Sequence, residues 1–464
     1  MTAMTSTPTS AWAHRALVAV ALLIHLAVVL SVAQQPLRVN RADPSTRSVI
    51  WPLHNDTVHR FGPASDFFAV YHAGANLRQG HTPYSHLERP RRTPYFFGFR
   101  YLPVVGQTLG RAATHLEPRH AWWGWIIVLE VTLALFIVVF RRRAREAWLQ
   151  TLGTCLPLLS SPYMLELHMG QFTFLTVSLV LIGLMVHGWP DDDTDANPVW
   201  TGAASAAAFT VAVLLKLFPL ATAPAQLRDR RHWPALGAAV ALTLITGLAF
   251  FIPNPEAWDR FYQANFSRPG GGMNSGNYGL VYLLYLLGNE LQWSVITDHW
   301  WTFVAAFRNV ILAGTALWVL FARAEVLLGV CLMFLAHFVS YIHVWEHHMS
   351  ALIPIGLVML AVQRQTRRPP PWVLGVVIAA TVALALPTLF VFIDEIKDTR
   401  VEFPNEAWSF SAQAALVLCK ALPTAALYGV CAWWVGQQGF GWPPSLAWSR
   451  QEEPPEPVSA DGPP

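Results

Sequence analysis

Charge is what this chain has least of. Only 13% of its 464 residues are Asp, Glu, Lys or Arg, against roughly 25% in an ordinary soluble domain. With 54% hydrophobic residues and a mean hydropathy of +0.36, the composition places the chain among membrane proteins. Lysine is scarcer still: Lys216, Lys397 and Lys420 are all there is, so arginine carries the positive charge. The net charge of +3 gives no case for a nucleic-acid partner. Cysteine is rare, and Cys155, Cys331, Cys419 and Cys431 lie scattered in apolar segments without metal-ligand spacing, which reads as thiols packed among helices. No repeat of solenoid period occurs. No glycine run is followed by G-K-[ST], and no βαβ context surrounds one, so a phosphate loop or dinucleotide fingerprint is excluded.

What is present is a series of apolar runs. A membrane helix needs about 20 mostly apolar residues. Candidate spans are 13–33, 121–140, 148–164, 171–188, 200–227, 234–253, 302–322, 325–341, 347–363, 372–393 and 408–437. The expectation is an all-α polytopic membrane protein of about eleven transmembrane helices, with 101–116 and 278–289 interfacial or re-entrant. The run 11–33 has signal-peptide length but no clear small-residue cleavage site, so it reads as a retained first helix. Residues 1–450 read as one transmembrane domain and 451–464, acidic and Pro-rich, as a disordered cytoplasmic tail.

Arginine clusters fix the expected orientation. Arg141–Arg145, Arg228–Arg231 and Arg364–Arg368 follow spans that would end on the cytoplasmic side. The N-terminus is then cytoplasmic, and 34–120, 163–170, 254–301, 342–346 and 394–407 are outside. For 189–199 and 228–231 both to lie inside, 200–227 must break and return. Pro219 in Lys216-Leu217-Phe218-Pro219 is the expected break, because proline removes a helix hydrogen bond.

That topology gathers the polar punctuation on one face. The first outer loop, 34–120, is expected to carry short amphipathic helices and holds Asp66 beside Phe67, Phe68 and Tyr71. An acid there can act as a general base, or can simply cap a helix beginning at Ser65-Asp66. Arg89, Arg91, Arg92 and Arg100 can bind a phosphate through guanidinium forks, or lipid head groups at the interface. Gln171, after Gly170, can bond a sugar hydroxyl or close a turn. The stretch NFSRPGGGMNSGNYG (265–279) offers Arg268, Asn274 and Asn277 in a glycine-rich outer loop. In Tyr341-Ile-His-Val-Trp-Glu-His-His348, polar groups enter a membrane helix at a cost that usually marks function. His347 and His348 suit an anionic leaving group, or anchor the interface with Trp345. His343, Glu346 and His347 also match a short inverted-zincin pattern, without the soluble domain that pattern needs. An Arg- and His-bearing outer face above oily helices suits a lipid-linked anionic substrate.

Several of these pieces occur in an order that resembles the family 87 glycosyltransferases. They are Asp66-Phe67-x-x-x-Tyr71-x-Ala73-Gly74, Gly80-x-x-Pro83-Tyr84, Tyr101-x-Pro103, Gly170-Gln171, Lys216-x-x-Pro219 and Trp345-x-His347-His348, spanning roughly 60–360. Tyr101-Leu102-Pro103 departs from the family's Tyr-Pro-Pro, and Tyr341-Ile-His-Val-Trp345 from its Pro-x-Ser-Trp.

The resemblance implies a GT-C-type fold and transfer of a sugar, mannose foremost, from a polyprenyl-phosphate donor to a lipid or glycan acceptor, with inversion. It implies Asp66 as base, and Arg91, Arg92, Arg100, Arg268, His347 and His348 at the donor phosphate. Tyr71, His72, Gln171, Asn274, Asn277 and Trp345 would meet sugar or acceptor, while Lys216 would hold the broken helix pair or a lipid phosphate from the cytoplasmic side. No cofactor is implied, and no metal is demanded, since no nucleotide diphosphate takes part. The implied setting is a multi-pass protein of the bacterial inner membrane with its site outside. The competing reading is a transporter or flippase of lipid-linked or anionic substrates, which predicts symmetry between halves and charges deep in helices.

Overall fold

The computed structural model describes residues 8–40, 43–54, 62–85, 92–187, 198–265, 276–363, 369–389 and 409–441. Among them there is no strand; isolated bridges join Asn277 to Trp345 and Ala322 to Phe440. In chain order the main helices are α1 (Pro8–Gln34), α2 (Ser65–Arg78), α3 (Pro118–Arg143), α4 (Ala147–Leu158), α5 (Ser161–Met169), α6 (Thr173–His187), α7 (Pro198–Leu215) and α8 (Trp233–Phe251). Then follow α9 (Pro255–Asn265), α10 (Leu280–Glu290), α11 (Trp300–Phe321), α12 (Val326–Ser340), α13 (Leu352–Val362), α14 (Pro371–Ala385) and α15 (Phe410–Gln437).

Among the described residues, five helices are long and apolar enough to cross a membrane alone, or six if α5 and α6 are taken as one bent span, and five shorter apolar helices accompany them. Punctuation inside the apolar runs shortens several of the expected spans. The run 148–164 divides at Leu159-Ser160, and Ser160 then caps α5 through its hydroxyl, which accepts the Tyr163 N–H. The run 200–227 stops helically at Leu215 and continues as a 3₁₀ turn, Phe218–Thr222, where Pro219 predicts a break. The tail 451–464 lies outside the described residues.

Helix burial follows composition. α13 is apolar throughout and buried throughout, and α12 is buried from Leu327 to Ser340. A helix hydrophobic all round belongs inside. By contrast α1, α3, α8 and α11 expose large apolar side chains, among them Leu26, Ile127, Ile245 and Val310. In a chain of this composition those faces meet lipid.

The first loop is held to the bundle by a close helix crossing. α2 lies across a π-helical turn, Gly106–Gly110. A Cβ at Gly74 would stand 2.1 Å from the Gly110 carbonyl, and one at Gly110 would stand 2.6 Å from the Val70 oxygen. Gly74→Ala should therefore cost about 1–3 kcal/mol as a lowered melting temperature of the detergent-solubilised protein. Gly124→Ala on α3, where the added methyl meets nothing within 4 Å, is the matched control and should be neutral or better. Equal melting of the two variants would show that α2 yields freely.

Candidate active site

The site is built at the bend between α5 and α6, which meet at 115°. Gly170 ends α5 at φ 67°, and a Cβ there would meet the Phe67 Cβ at 2.6 Å, so glycine is required twice over. The carbonyl of His168 in this turn accepts the Ala64 N–H at 2.7 Å. Ala64 itself is buried with φ 59°, a left-handed conformation that costs a non-glycine residue roughly 1–2 kcal/mol. Held so, it delivers the chain into α2 with Asp66 in the first turn and facing Gln171. No side chain caps α2. The capping role open to Asp66 in the sequence is thus not the one it plays.

Gln171 organises the polar cluster. Its Oε1 accepts the Phe172 N–H at 3.0 Å and the Lys216 ammonium at 3.0 Å. With its oxygen so occupied, its side-chain NH₂ is the group that donates to Asp66. The Lys216 ammonium donates also to Thr173 Oγ1, at 2.7 Å. Lys216 thus stands at the bend with Gln171 and within electrostatic reach of Asp66. Glu166, fully buried, completes the group: Oε1 accepts the Phe174 N–H at 2.7 Å and Oε2 accepts the Ser350 hydroxyl at 2.5 Å. Glu166 has no role among the sequence expectations, which place it in the outer loop 163–170; the signal for it is an acid flanked by apolar residues.

Asp66 retains some exposure, yet its Oδ2 is enclosed and takes no hydrogen bond among the described residues. Loss of solvation pushes its carboxyl up to about 7, against the opposing pull of Lys216, Arg100 and the Gln171 hydrogen bond. Tyr101 shares the neighbourhood, and the nearby Asp66 charge and burial hold its phenol protonated.

The histidine pair comes from the 3₁₀ turn Glu346–Ala351. The rings of His347 and His348 lie 4.2 Å apart. His348 Nδ1 accepts the Trp345 N–H at 3.0 Å, so the neutral ring carries its proton on Nε2. Both nitrogens of buried His347 lack a partner among the described residues. Lys216 acts electrostatically on both rings, which puts the pair in the same neighbourhood as the bend. Glu346 Oε2 bonds His54 Nδ1 at 2.9 Å, and His54 Nε2 bonds Ser161 at 3.0 Å; among the described residues no three His, Cys, Asp or Glu side chains gather as a metal set. That buried bridge ties the loop at 51–54, the start of α5 and the histidine turn together.

Other expected site residues have structural partners. Tyr71 is buried and donates to the Leu116 carbonyl at 3.0 Å; His72 is buried with Thr93 at 2.7 Å. Asn277 is a clasp, donating to the Ile342 carbonyl at 2.5 Å and accepting the Gly279 and Val344 N–H groups. Trp345 is half-buried and begins the histidine turn. Arg92 and Arg100 are exposed; of the two, Arg100 is the one that reaches Asp66 electrostatically. Arg89, Arg91, Arg268 and Asn274 lie outside the described residues.

The family model for glycosyltransferase family 87 matches residues 110–344, half the chain, from the π-turn to the loop before the histidine pair. The chain belongs to this family. It is an integral membrane protein of all-helical architecture, and family 87 membership carries the expected GT-C assignment. No curated protein matches it by sequence. Two solved structures of ArnT from Cupriavidus metallidurans are similar at a distance. The apo form is 15% identical over 83% of this chain and 75% of that one, with a TM-score of 0.32. The form bound to undecaprenyl phosphate is 16% identical over 89% and 77%, with a TM-score of 0.38.

The raised Asp66 carboxyl has a signed consequence for stability. A folded-state value near 7, above the ordinary 3.8, means folding favours the protonated acid. That contribution is fully present below about pH 3.8 and is lost progressively as pH rises to about 7. Asp66→Asn should therefore melt higher than wild type at pH 8, by on the order of 1 kcal/mol or more, with the gap narrowing steadily towards pH 4. The same offset at both pH values would show that Asp66 is not enclosed.

Proposed function

We propose that this family 87 protein moves a sugar, mannose foremost, from a polyprenyl-phosphate donor to a hydroxyl of a lipid or glycan acceptor at the extracytoplasmic face of the membrane. The observation that carries the reading is Asp66: a carboxyl poised near neutrality, with one free oxygen, beside a lysine and a histidine pair. As base, its carboxylate takes the acceptor hydroxyl proton. The acceptor oxygen bonds to the anomeric carbon from the side opposite the phosphate. The bond from that carbon to the phosphate oxygen breaks, and polyprenyl phosphate leaves with the electron pair. A β-linked donor thereby gives an α-linked product.

The departing phosphate gathers negative charge, which fixed donors stabilise more than any other single device. His348 offers its Nε2 proton, His347 an unengaged ring, and Arg100 a guanidinium on the same side as Asp66. Arg91, Arg92 and Arg268 join this set on the strength of sequence. Lys216 is held by Gln171 and Thr173, so it acts on the field rather than as a mobile clamp.

The test is transfer by purified protein given polyprenyl-phosphate mannose and membrane-lipid acceptors. Wild type should transfer with kcat/KM falling below about pH 7, as the Asp66 carboxyl takes up its proton. Asp66→Asn should lose about 10²–10⁴-fold. Transfer surviving in that variant would remove Asp66 from the role; no transfer from any polyprenyl-phosphate sugar would overturn the reading and leave a liposome flux assay to be run.

A further inference from the structure

Glu166 takes no part in the transfer step, yet it is the most completely tied acid of the site. A buried carboxylate persists only with donors on both oxygens and a counter-charge nearby. Its donors come from two elements, Phe174 on α6 and Ser350 on the histidine turn. Its counter-charge is Lys216, and the same ammonium serves Asp66. One cation, held by Gln171 and Thr173, therefore acts on two carboxyls. With all three ionised the group carries a net negative charge in a poorly solvated place, so one acid holds a proton. The two acids hold that proton as a coupled pair: the Phe174 N–H bonds Glu166 Oε1, the single Ser350 proton is shared between Glu166 Oε2 and the His347 carbonyl, and Asp66 leaves Oδ2 bare.

We propose that Glu166 is a positioning residue that sets the proton affinity of Asp66, acting across the shared Lys216. The idea rests on Asp66 being the base of the proposed reaction. Without Glu166, Lys216 and Asp66 would settle as a matched ion pair, and a carboxylate so paired is a weak base. With Glu166 present, the ammonium is already balanced, and Asp66 keeps enough basicity to take a hydroxyl proton. Other groups bear on the trio. Arg100 and Tyr101 face Asp66 from the first loop; Tyr101 and Tyr163 of α5 face Glu166; His337 of α12, His347 and His348 face Lys216. Among these charged and titrating groups, only Glu166 adds a negative charge beside that of Asp66.

The measurement is labelling of the full-length protein in detergent with dicyclohexylcarbodiimide, which reacts with protonated carboxyls, between about pH 5 and 9. The extent at the Asp66 peptide is read by mass spectrometry. Glu166→Gln should lower the half-labelling pH of Asp66 by about one unit, while Glu166→Asp, which keeps the charge, should leave it near wild type. Ser350→Ala keeps every charge but strips a donor from Glu166. It should shift Asp66 the same way by less, and it decides the matter if the glutamine variant does not fold. An unmoved or raised half-labelling pH in the glutamine and Ser350→Ala variants overturns the proposal. The readout needs no turnover, so it stands apart from whether polyprenyl-phosphate mannose is the donor. Where transfer is measurable, the acid limb of kcat/KM should move with the labelling.

Discussion

The structure depends on how one half-buried ammonium is accommodated. Lys216 sits where an apolar helix stops. Gln171 and Thr173 accept its hydrogen bonds, and both belong to the bend between α5 and α6. The bend exists because Gly170 turns left-handed and leaves room for Phe67. The same turn accepts the Ala64 N–H and so fixes where α2 begins. Ion, bend and first-loop helix are one solved problem: none of the three has its observed form without the others. Buried charge is costly to maintain, and here it brings an acid from the loop against acids and amides from the bundle.

Much of this was readable in the chain. Charge scarcity and apolar runs gave the class, and the ends of α3, α8, α11 and α15 fall close to their hydropathy limits. The resemblance picked out Asp66, Gln171, Lys216 and the histidine pair, residues that the structure gathers around one bend. Pro219 marked the break after α7, since a missing N–H acts locally and needs no tertiary context.

What escaped reading was tertiary. Hydropathy treats 148–188 as two spans, but Ser160 and Gly170 divide it into α4, α5 and α6, and no window average sees a cap or a positive φ. Tyr71, His72 and Asn277 are polar residues on the expected outer face, yet Leu116 takes the Tyr71 hydroxyl, Thr93 the His72 Nε2, and the strand-like loop at 342–344 the Asn277 amide. Sequence gives a side chain's chemistry but not its partner. Glu166 failed in the opposite sense: an acid in the expected outer loop 163–170 looks like an interfacial ornament until Phe174 and Ser350 are seen to close around it.

Asn277 carries one more consequence. It sews the start of α10 to the loop that leads into the histidine turn, through both ends of its amide and the backbone pairing of Tyr278 with Val344. A glycine-rich segment, 265–276, precedes it in the chain. A chimaera that swaps this segment between family members has a seam fixed by that amide. A junction placed before Asn277 leaves the stitch whole. One placed after it imports half a stitch, and the recipient must then supply a matching 342–344 or lose the seat of its histidines.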